Sequence, residues 1–197
     1  MNRQRQVVGL RSIGVLLCGL LVSGCAFGTR SALLTYQVSG TPHAARNITL
    51  AVSDFRDDRN DKRDVGGVRN TWGMKTAKVV AKNDVAQWVR QALVDELTQQ
   101  GYTVSSAPAS LAVGGKVLEV YCDSYMTYEG KVLLAVELRR DGAVLLDKTY
   151  AGKGGGMNWA ATSKGYAKAL QEALATALYD VVSDINRTLA EQPTARR

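Results

Sequence analysis

Residues 111–151 decide the fold of this chain, and they read LAVGGKVLEVYCDSYMTYEGKVLLAVELRRDGAVLLDKTYA. Apolar and polar residues alternate here with a period of two, which predicts strands over 111–121, around 132–138 and over 144–151. Asp141-Gly142 separates the last two strands, and both residue types tolerate the positive φ angles of a tight hairpin turn. The stretch therefore predicts a three-stranded antiparallel meander.

The residues before the meander predict a strand, a helix and a second short strand. Residues 47–53, NITLAVS, have the composition of a strand. Asn83 is a candidate helix cap, Gly101 is a candidate helix stop, and a short strand is predicted over 102–104. Between cap and stop, apolar residues recur at helical spacing, namely Val85, Trp88, Val89, Ala92, Leu93 and Leu97.

The residues after the meander predict a long amphipathic helix from about Ser163 to Leu189. The glycine-rich run Gly152–Gly156 is interpreted as the exit from the meander towards this helix. The order of elements predicts a single α+β domain over residues 47–190. We expect a mixed, mostly antiparallel sheet of about five strands, with the two helices packed on one of its faces.

The polar segment 54–82 is too long and too charged for an ordinary connection. One interpretation is a solvated loop with local ion pairs. The other is a recognition loop, because long loops on a rigid scaffold often carry binding. Calcium binding is not indicated, since arginines and lysines interrupt the acids and the glycine and glutamate of a calcium loop are missing. The candidate recognition surface consists of Asp54, Arg56, Arg63, Arg69 and Trp72.

The N-terminal sequence has the architecture of an exported lipoprotein. A basic region over 1–11 precedes an apolar run over 12–21, which is too short to span a bilayer that needs about 20 residues. Val22-Ser23-Gly24 then place small residues before Cys25, as a lipoprotein signal peptidase requires. We therefore expect residues 1–24 to be a signal peptide and Cys25 to carry the acyl chains, palmitate among them. The alternative is an ordinary secretory signal with an incidental cysteine.

The expected anchor also indicates a location. A single acyl chain gives only marginal membrane binding, whereas two or more chains hold a protein stably. Ala26 occupies the position where an aspartate would resemble an inner-membrane retention signal. We therefore expect attachment to the outer membrane, with the domain facing the periplasm. Residues 25–46 are predicted to be a lipid-anchored tether, and residues 191–197 a flexible C-terminal tail.

Composition limits the classes of partner. The formal net charge of +7 falls to +4 once the three arginines of the signal are removed, which leaves little reason to expect nucleic-acid binding. The predicted partners are the membrane, through the acylated Cys25, and an envelope protein or peptidoglycan.

Catalytic chemistry has little support in the sequence. His43 is the only histidine, so a Ser-His or Cys-His nucleophile has no base apart from a residue of the predicted tether. Cys122 shares a predicted strand face with Leu118 and Val120, which favours a small buried apolar role. The glycine-rich run lacks the spacing of a phosphate-binding loop. We therefore expect no catalytic residue, no cofactor and no metal site.

Several motifs together resemble the YajG family of bacterial lipoproteins. They are the signal with Cys25, the strand ending in Asp54-x-Arg56, VGGVR at 65–69, and ELTQQGYTV at 96–104. The resemblance covers nearly the whole mature chain in order and spacing, and it implies an outer-membrane lipoprotein of undefined molecular role. The layout also looks like the small α+β domains of periplasmic lipoproteins that activate peptidoglycan synthases or help to build envelope machines.

The resulting hypothesis is a non-enzymatic lipoprotein that acts as a binding or assembly module in the periplasm. Two alternatives stay open. One is an accessory subunit of an envelope machine, in flagellar or pilus assembly, lipid transport or activation of peptidoglycan synthases. The other is a binder of a glycan or a small ligand.

Overall fold

The meander forms the larger part of one mixed sheet, which two helices cover. The computed structural model describes residues 28–39, 41–158 and 160–191. The strands are β1 Arg30–Ala32, β2 Thr49–Asp57, β3 Asp64–Arg69, β4 Lys75–Ala81, β5 Thr103–Ser105, β6 Leu111–Ser124, β7 Thr127–Arg140 and β8 Ala143–Met157. The helices are α1 Val85–Gln99 and α2 Ser163–Glu191.

The three long strands confirm the predicted meander. β7 pairs antiparallel with β6 on one side and with β8 on the other. Asp141 and Gly142 have φ angles of 49° and 85°, as the predicted tight turn requires. The free side of β6 is shared, because β2 pairs with residues 112–117 and β3 pairs with residues 122–124, both parallel to β6.

Within the described residues the sheet has eight strands rather than about five, and the expectation of mostly antiparallel pairing was wrong. Four of its seven strand pairings are parallel: β1 with β4, β2 with β5, β2 with β6 and β3 with β6. The parallel pairings arise because β2 and β3 run in the same direction along β6. β1 is only three residues long, too short to show a period in the sequence, whereas β5 corresponds to the short strand predicted over 102–104.

The polar segment 54–82 contains the end of β2 and the whole hairpin of β3 and β4. Val65 and Val79 point into the core and are fully buried. Gly66 lies against β6, where a Cβ atom would overlap the carbonyl oxygen of Cys122. The strands were missed because glycines and outward-facing charges dilute the apolar alternation.

α1 begins one residue later than predicted. Asp84 is its N-cap and accepts a hydrogen bond from the backbone N–H of Gln87 at 2.8 Å. Asn83 instead bonds the backbone N–H and C=O of Leu34, each at 3.0 Å, in the manner of a neighbouring strand. Gly101 ends the helix with a φ of 83°, as predicted. Trp88, one of the apolar residues at helical spacing, is buried in the core.

α2 packs on glycines of β7 and β8. A Cβ atom on Gly152 would overlap the carbonyl oxygen of Ala173, and a Cβ atom on Gly130 or Gly154 would overlap that of Ala169. The glycine-rich run was therefore wrongly interpreted as an exit loop, because it is the last part of β8. Its glycines let the helix backbone approach the sheet backbone directly.

Residues 28–39 and 41–46, predicted to belong to the tether, lie against the domain. They include β1 and the buried Leu34, and the backbone N–H of His43 donates to the carbonyl of Gln99 at 2.8 Å. Leu34, Tyr36 and Val38 alternate with polar residues, but this stretch does not form a strand. The predicted signal peptide, the predicted lipid-bearing Cys25, and the tail beyond Glu191 lie outside the described residues.

Candidate functional site

The sheet has one covered face and one open face. In β7, even-numbered residues from Tyr128 to Leu138 are buried beneath the helices, and the odd-numbered residues between them point to the other side. The open face is rich in charge. Its charged side chains on the central strands are Lys116, Glu119, Asp123, Glu129, Lys131, Glu137 and Arg139. This face belongs to an ordered sheet and is available to a partner.

A shallow cavity of about 300 Å³ lies on the open face where β2, β6 and β7 meet. Gly114 forms its floor, since a Cβ atom there would come within 3.0 Å of Ser53. We call this site the charged groove and define it by the residues Ser53, Asp54, Arg56, Gly114, Lys116, Glu137 and Arg139.

Ion pairs hold the β2 side of the charged groove. Arg56 donates from Nε and Nη2 to the carboxylate of Asp58 at 2.5 and 2.6 Å, and Lys116 lies 3.8 Å from the same carboxylate. Arg56 therefore holds the pKa of Asp58 below its ordinary value, while Asp58 raises the pKa of Arg56. Asp54 lies 3.3 Å from Arg90 of α1. The groove thus presents side chains of both charges on a rigid floor.

Ion pairing also orders the β7 side of the charged groove. Arg139 forms an ion pair with Glu137, and its Nη1 donates to the carbonyl of Gly142 at 3.0 Å. A site with cations and carboxylates on both of its walls can bind a ligand that carries both kinds of charge, such as a peptide segment.

The five residues of the predicted recognition surface lie in separate places. Asp54 and Arg56 belong to the charged groove, whereas Arg69 and Trp72 lie at the turn between β3 and β4. Arg63 is exposed in the loop between β2 and β3. The distance between these two places can be read along β6, because β2 pairs with β6 at Gly115 and β3 pairs with it at Ser124. The two positions are nine residues apart, which corresponds to about 30 Å of strand.

The loop between β2 and β3 folds around a buried arginine that sequence reasoning missed. Arg59 is 7% exposed, and its guanidinium donates to Asp57 at 2.8 and 2.9 Å and to the carbonyls of Lys62 and Asp64. Burial raises the pKa of Asp57, but the bonds from Arg59 outweigh it and lower that pKa. An arginine within a run of aspartates was the only signal in the sequence.

A second surface lies at one tip of the sheet, where the β3–β4 turn, the β6–β7 turn and the end of β8 meet. We call it the apolar end and define it by its exposed side chains Trp72, Met74, Tyr125, Met126 and Met157. Only Trp72 was singled out from the sequence. The others lie at strand ends and turns, where a period of two no longer indicates which side a residue faces.

The three chain segments of the apolar end are bonded to one another. The hydroxyl of Tyr125 donates to the carbonyl oxygen of Thr71 at 2.6 Å. The backbone N–H of Asn158 donates to the carbonyl oxygen of Met126 at 3.0 Å. Arg69 donates to Asp123 at 2.6 Å and to the carbonyl of Gly73 at 2.8 Å. These bonds fix the turns while their apolar side chains remain exposed.

The groups considered for catalysis are placed as follows. His43 is exposed, and its backbone bonds to α1. Cys122 is fully buried, and burial raises its pKa to about 12, which confirms the predicted apolar role. Within residues 28–39, 41–158 and 160–191, no three side chains of histidine, cysteine, aspartate or glutamate are grouped so that they could hold a metal ion.

Comparison with known sequences gives a family but no described activity. The family model Lipoprotein_16, described as an uncharacterized lipoprotein, matches residues 37–193. No curated protein matches the chain. In the part of the chain that the structure describes, no helix combines the length and apolar character needed to cross a membrane.

Comparison with solved structures supports the fold. The protein XCC0632 of Xanthomonas campestris is 16% identical, with a TM-score of 0.62 over 82% of this chain and 97% of its own. The hypothetical protein CT253 of Chlamydia trachomatis is 8% identical, with a TM-score of 0.52 over 75% of this chain and 100% of its own. An uncharacterized protein that is 14% identical has a TM-score of 0.55 over 80% of this chain and 99% of its own. At these identities the likeness concerns the fold alone.

Proposed function

Because this chain belongs to the uncharacterized lipoprotein family whose model matches residues 37–193, we propose that it is an outer-membrane lipoprotein acting as a non-enzymatic binding and assembly module. Its domain faces the periplasm, and its partner is an envelope protein or peptidoglycan. The observation that carries the proposal is the open face, an ordered sheet surface with a charged groove that no element of the described chain covers.

The anchor of the proposed module is Cys25. Small residues precede this cysteine and an apolar run precedes them, which is the order that a lipoprotein signal peptidase requires. Two or more acyl chains then hold the mature protein stably on a bilayer. Ala26 favours the outer membrane. The motifs at 65–69 and 96–104 support a narrower assignment to the YajG family.

Anchoring gives the groove its physical advantage. A domain fixed to a membrane is confined to a thin layer, so its effective concentration towards other envelope components is higher than in free solution. Binding of modest affinity is then sufficient. A groove with side chains of both charges on β2 and on β7, and with Lys116 between them on β6, suits a polar partner segment that carries charges of both signs.

Site-specific photo-crosslinking in living cells tests the proposal. We expect a photoreactive residue in place of Arg56, whose side chain is 68% exposed in the charged groove, to give a discrete adduct with an envelope component. The matched control position is Tyr179, which is 75% exposed on the solvent side of α2. We expect no such adduct there, because α2 covers the opposite face of the sheet.

A double substitution in the charged groove tests whether the partner binds there. Asp54→Ala combined with Arg56→Ala removes two exposed groove side chains, so we expect an unchanged melting temperature and loss of the adduct formed from a photoreactive residue at Lys116. Equal adducts at Lys116 and Tyr179, or an adduct at Tyr179 alone, would contradict a partner site in the groove. An adduct with glycan strands rather than a protein would identify peptidoglycan as the partner.

A further inference from the structure

The apolar end exposes large apolar side chains although its backbone is ordered. Trp72 is 80% exposed, Met126 is 69% exposed and Met157 is 65% exposed, and all lie at one tip of the sheet. Single exposed apolar residues are common on soluble proteins, but a group of them at one place marks a surface that binds a protein, a membrane or an apolar ligand. The direction of the N-terminal chain favours a membrane.

The described chain begins on the side of the apolar end. β1 runs parallel to β4, with Arg30 opposite Val79. Gly28 lies beside the first half of β4, where it lines a cavity with residues 75–78. Following the chain from Arg30 towards the N-terminus therefore leads towards the start of β4, and the turn that presents Trp72 and Met74 immediately precedes that start.

The length of the remaining chain limits where the anchor can lie. Cys25 is three residues before Gly28, so its Cα atom lies within about 11 Å of that of Gly28, at no more than about 3.6 Å per residue. The opposite tip of the sheet is the Asp141-Gly142 turn. It is separated from the apolar end by the 14 residues of β7, a distance of about 45 Å. An acylated Cys25 therefore brings the apolar end, and not the hairpin tip, close to the bilayer.

The side chains of the apolar end match the chemistry of a bilayer surface. Tryptophan and tyrosine prefer the region between headgroups and acyl chains, where the ring is in an apolar environment and its polar atom stays hydrated. Methionine is flexible and apolar, and it adapts to an irregular surface. Trp72, Tyr125 and the three methionines thus provide two amphipathic rings among flexible apolar side chains.

We infer that the apolar end docks on the bilayer surface that holds the acyl chains, with Trp72, Met74 and Met126 inserted at the level of the headgroups. This docking rests on the lipid anchor of the proposed function. It fixes the orientation of the domain, because the anchor supplies attachment and the apolar end supplies a second, rigid contact. The open face then stands away from the membrane.

Tryptophan quenching by brominated lipid tests the docking. The acylated mature protein is reconstituted into vesicles of phosphatidylethanolamine and phosphatidylglycerol, with and without phosphatidylcholine brominated on its acyl chains. The matched control is Trp72→Phe, which removes one of the three tryptophans of the chain. We expect brominated lipid to quench the wild-type emission, and we expect Trp72→Phe to lose that part of the quenching. We also expect reconstitution to protect the same part from the aqueous quencher acrylamide.

Flotation of the same vesicles in a density gradient distinguishes the lipid anchor from the docking of the apolar end. Protein that floats while the Trp72 emission is unaffected by bromine has its anchor but does not dock through the apolar end, which overturns the inference alone. Protein that does not float overturns both the anchor and the docking. Flotation together with quenching that depends on Trp72 supports both.

Discussion

Asp184 of α2 is a buried carboxylate that joins the helix to the sheet. It accepts hydrogen bonds from Lys148 at 2.7 Å and from Tyr150 at 3.0 Å, both on β8, and from Arg187 at 2.6 Å. The bond from Lys148 is the main reason that the pKa of Asp184 is lowered, and burial opposes it. Burial and the neighbouring carboxylate raise the pKa of Tyr150. The carboxylate is therefore held in its ionised form.

The lowered pKa predicts a loss of stability in acid. A carboxylate whose folded pKa lies below its unfolded value stabilises the fold above the unfolded pKa, near 3.8, and loses that contribution as the pH falls through the folded pKa. We expect Asp184→Asn to lower the free energy of unfolding at pH 7 by about 1–3 kcal/mol. Urea denaturation between pH 7 and pH 3 measures this, and the difference between variant and wild type should shrink at the acid end. A constant difference would assign the effect to packing.

The packing of α2 on β7 and β8 depends on the small size of the residues in the contact. Gly152, Gly154 and Gly130 face the helix, and Ala169 and Ala173 face them from α2. Such a contact brings two backbones together without intervening side chains. It leaves no volume for an added methyl group, because the atoms that a Cβ would meet belong to the helix backbone.

A pair of glycine substitutions tests this contact. We expect Gly152→Ala to lower the free energy of unfolding by about 1–3 kcal/mol, because its Cβ would overlap the backbone of Ala173. The control is Gly156→Ala in the same strand, since a Cβ at Gly156 meets no heavy atom within 4 Å. It should be neutral or slightly stabilising. Thermal and urea unfolding of both variants provide the comparison, and equal losses would show that the contact with the helix backbone is not responsible.

The elements that could be predicted from sequence are those whose burial follows a simple period. β6, β7 and both helices meet that condition, because each has one buried face along an uninterrupted run, whereas β8 was recognisable from the Asp141-Gly142 turn before it. The β3–β4 hairpin does not, since Gly66 and Gly67 replace the apolar residues that would have indicated a buried face. The glycines of β8 were misread as a loop because they have no apolar side chain to indicate a buried face, although the backbone of α2 covers them.

Candidate site residues were harder to place from sequence, because surfaces depend on which strands become neighbours. Asp54 and Arg56 lie in one groove with Lys116 and Glu137, which come from β6 and β7. Nothing local to residues 54–82 indicates those partners. Trp72 was recognisable as an unusual exposed aromatic residue, whereas its companions Tyr125 and Met126 come from a turn 53 residues later.

At the scale of the whole molecule, the anchor and the domain are separable. The first strand begins at Arg30, five residues after Cys25. We therefore expect the domain to fold whether or not the cysteine is acylated, so that maturation and folding can be measured independently.

Cys25→Ser tests the anchor alone. We expect this variant to accumulate as an unprocessed precursor that carries no lipid, because the peptidase acts on the acylated cysteine. Palmitate labelling and mass spectrometry of the protein from cells check the outcome. Its melting temperature should equal that of the wild-type domain. Normal maturation of the serine variant would place the cleavage site elsewhere and remove the basis for a lipid-anchored N-terminus.

β6 sets the distance between the apolar end and the charged groove. It reaches from one to the other as one strand, and nine of its residues separate the two, about 30 Å. It is paired with β7 along its length and with β2 and β3 towards its two ends, so the sheet keeps this distance constant. With the apolar end docked as inferred above, a partner in the charged groove would be held at a constant height above the lipid, and lengthening the chain before Arg30 would not change that height.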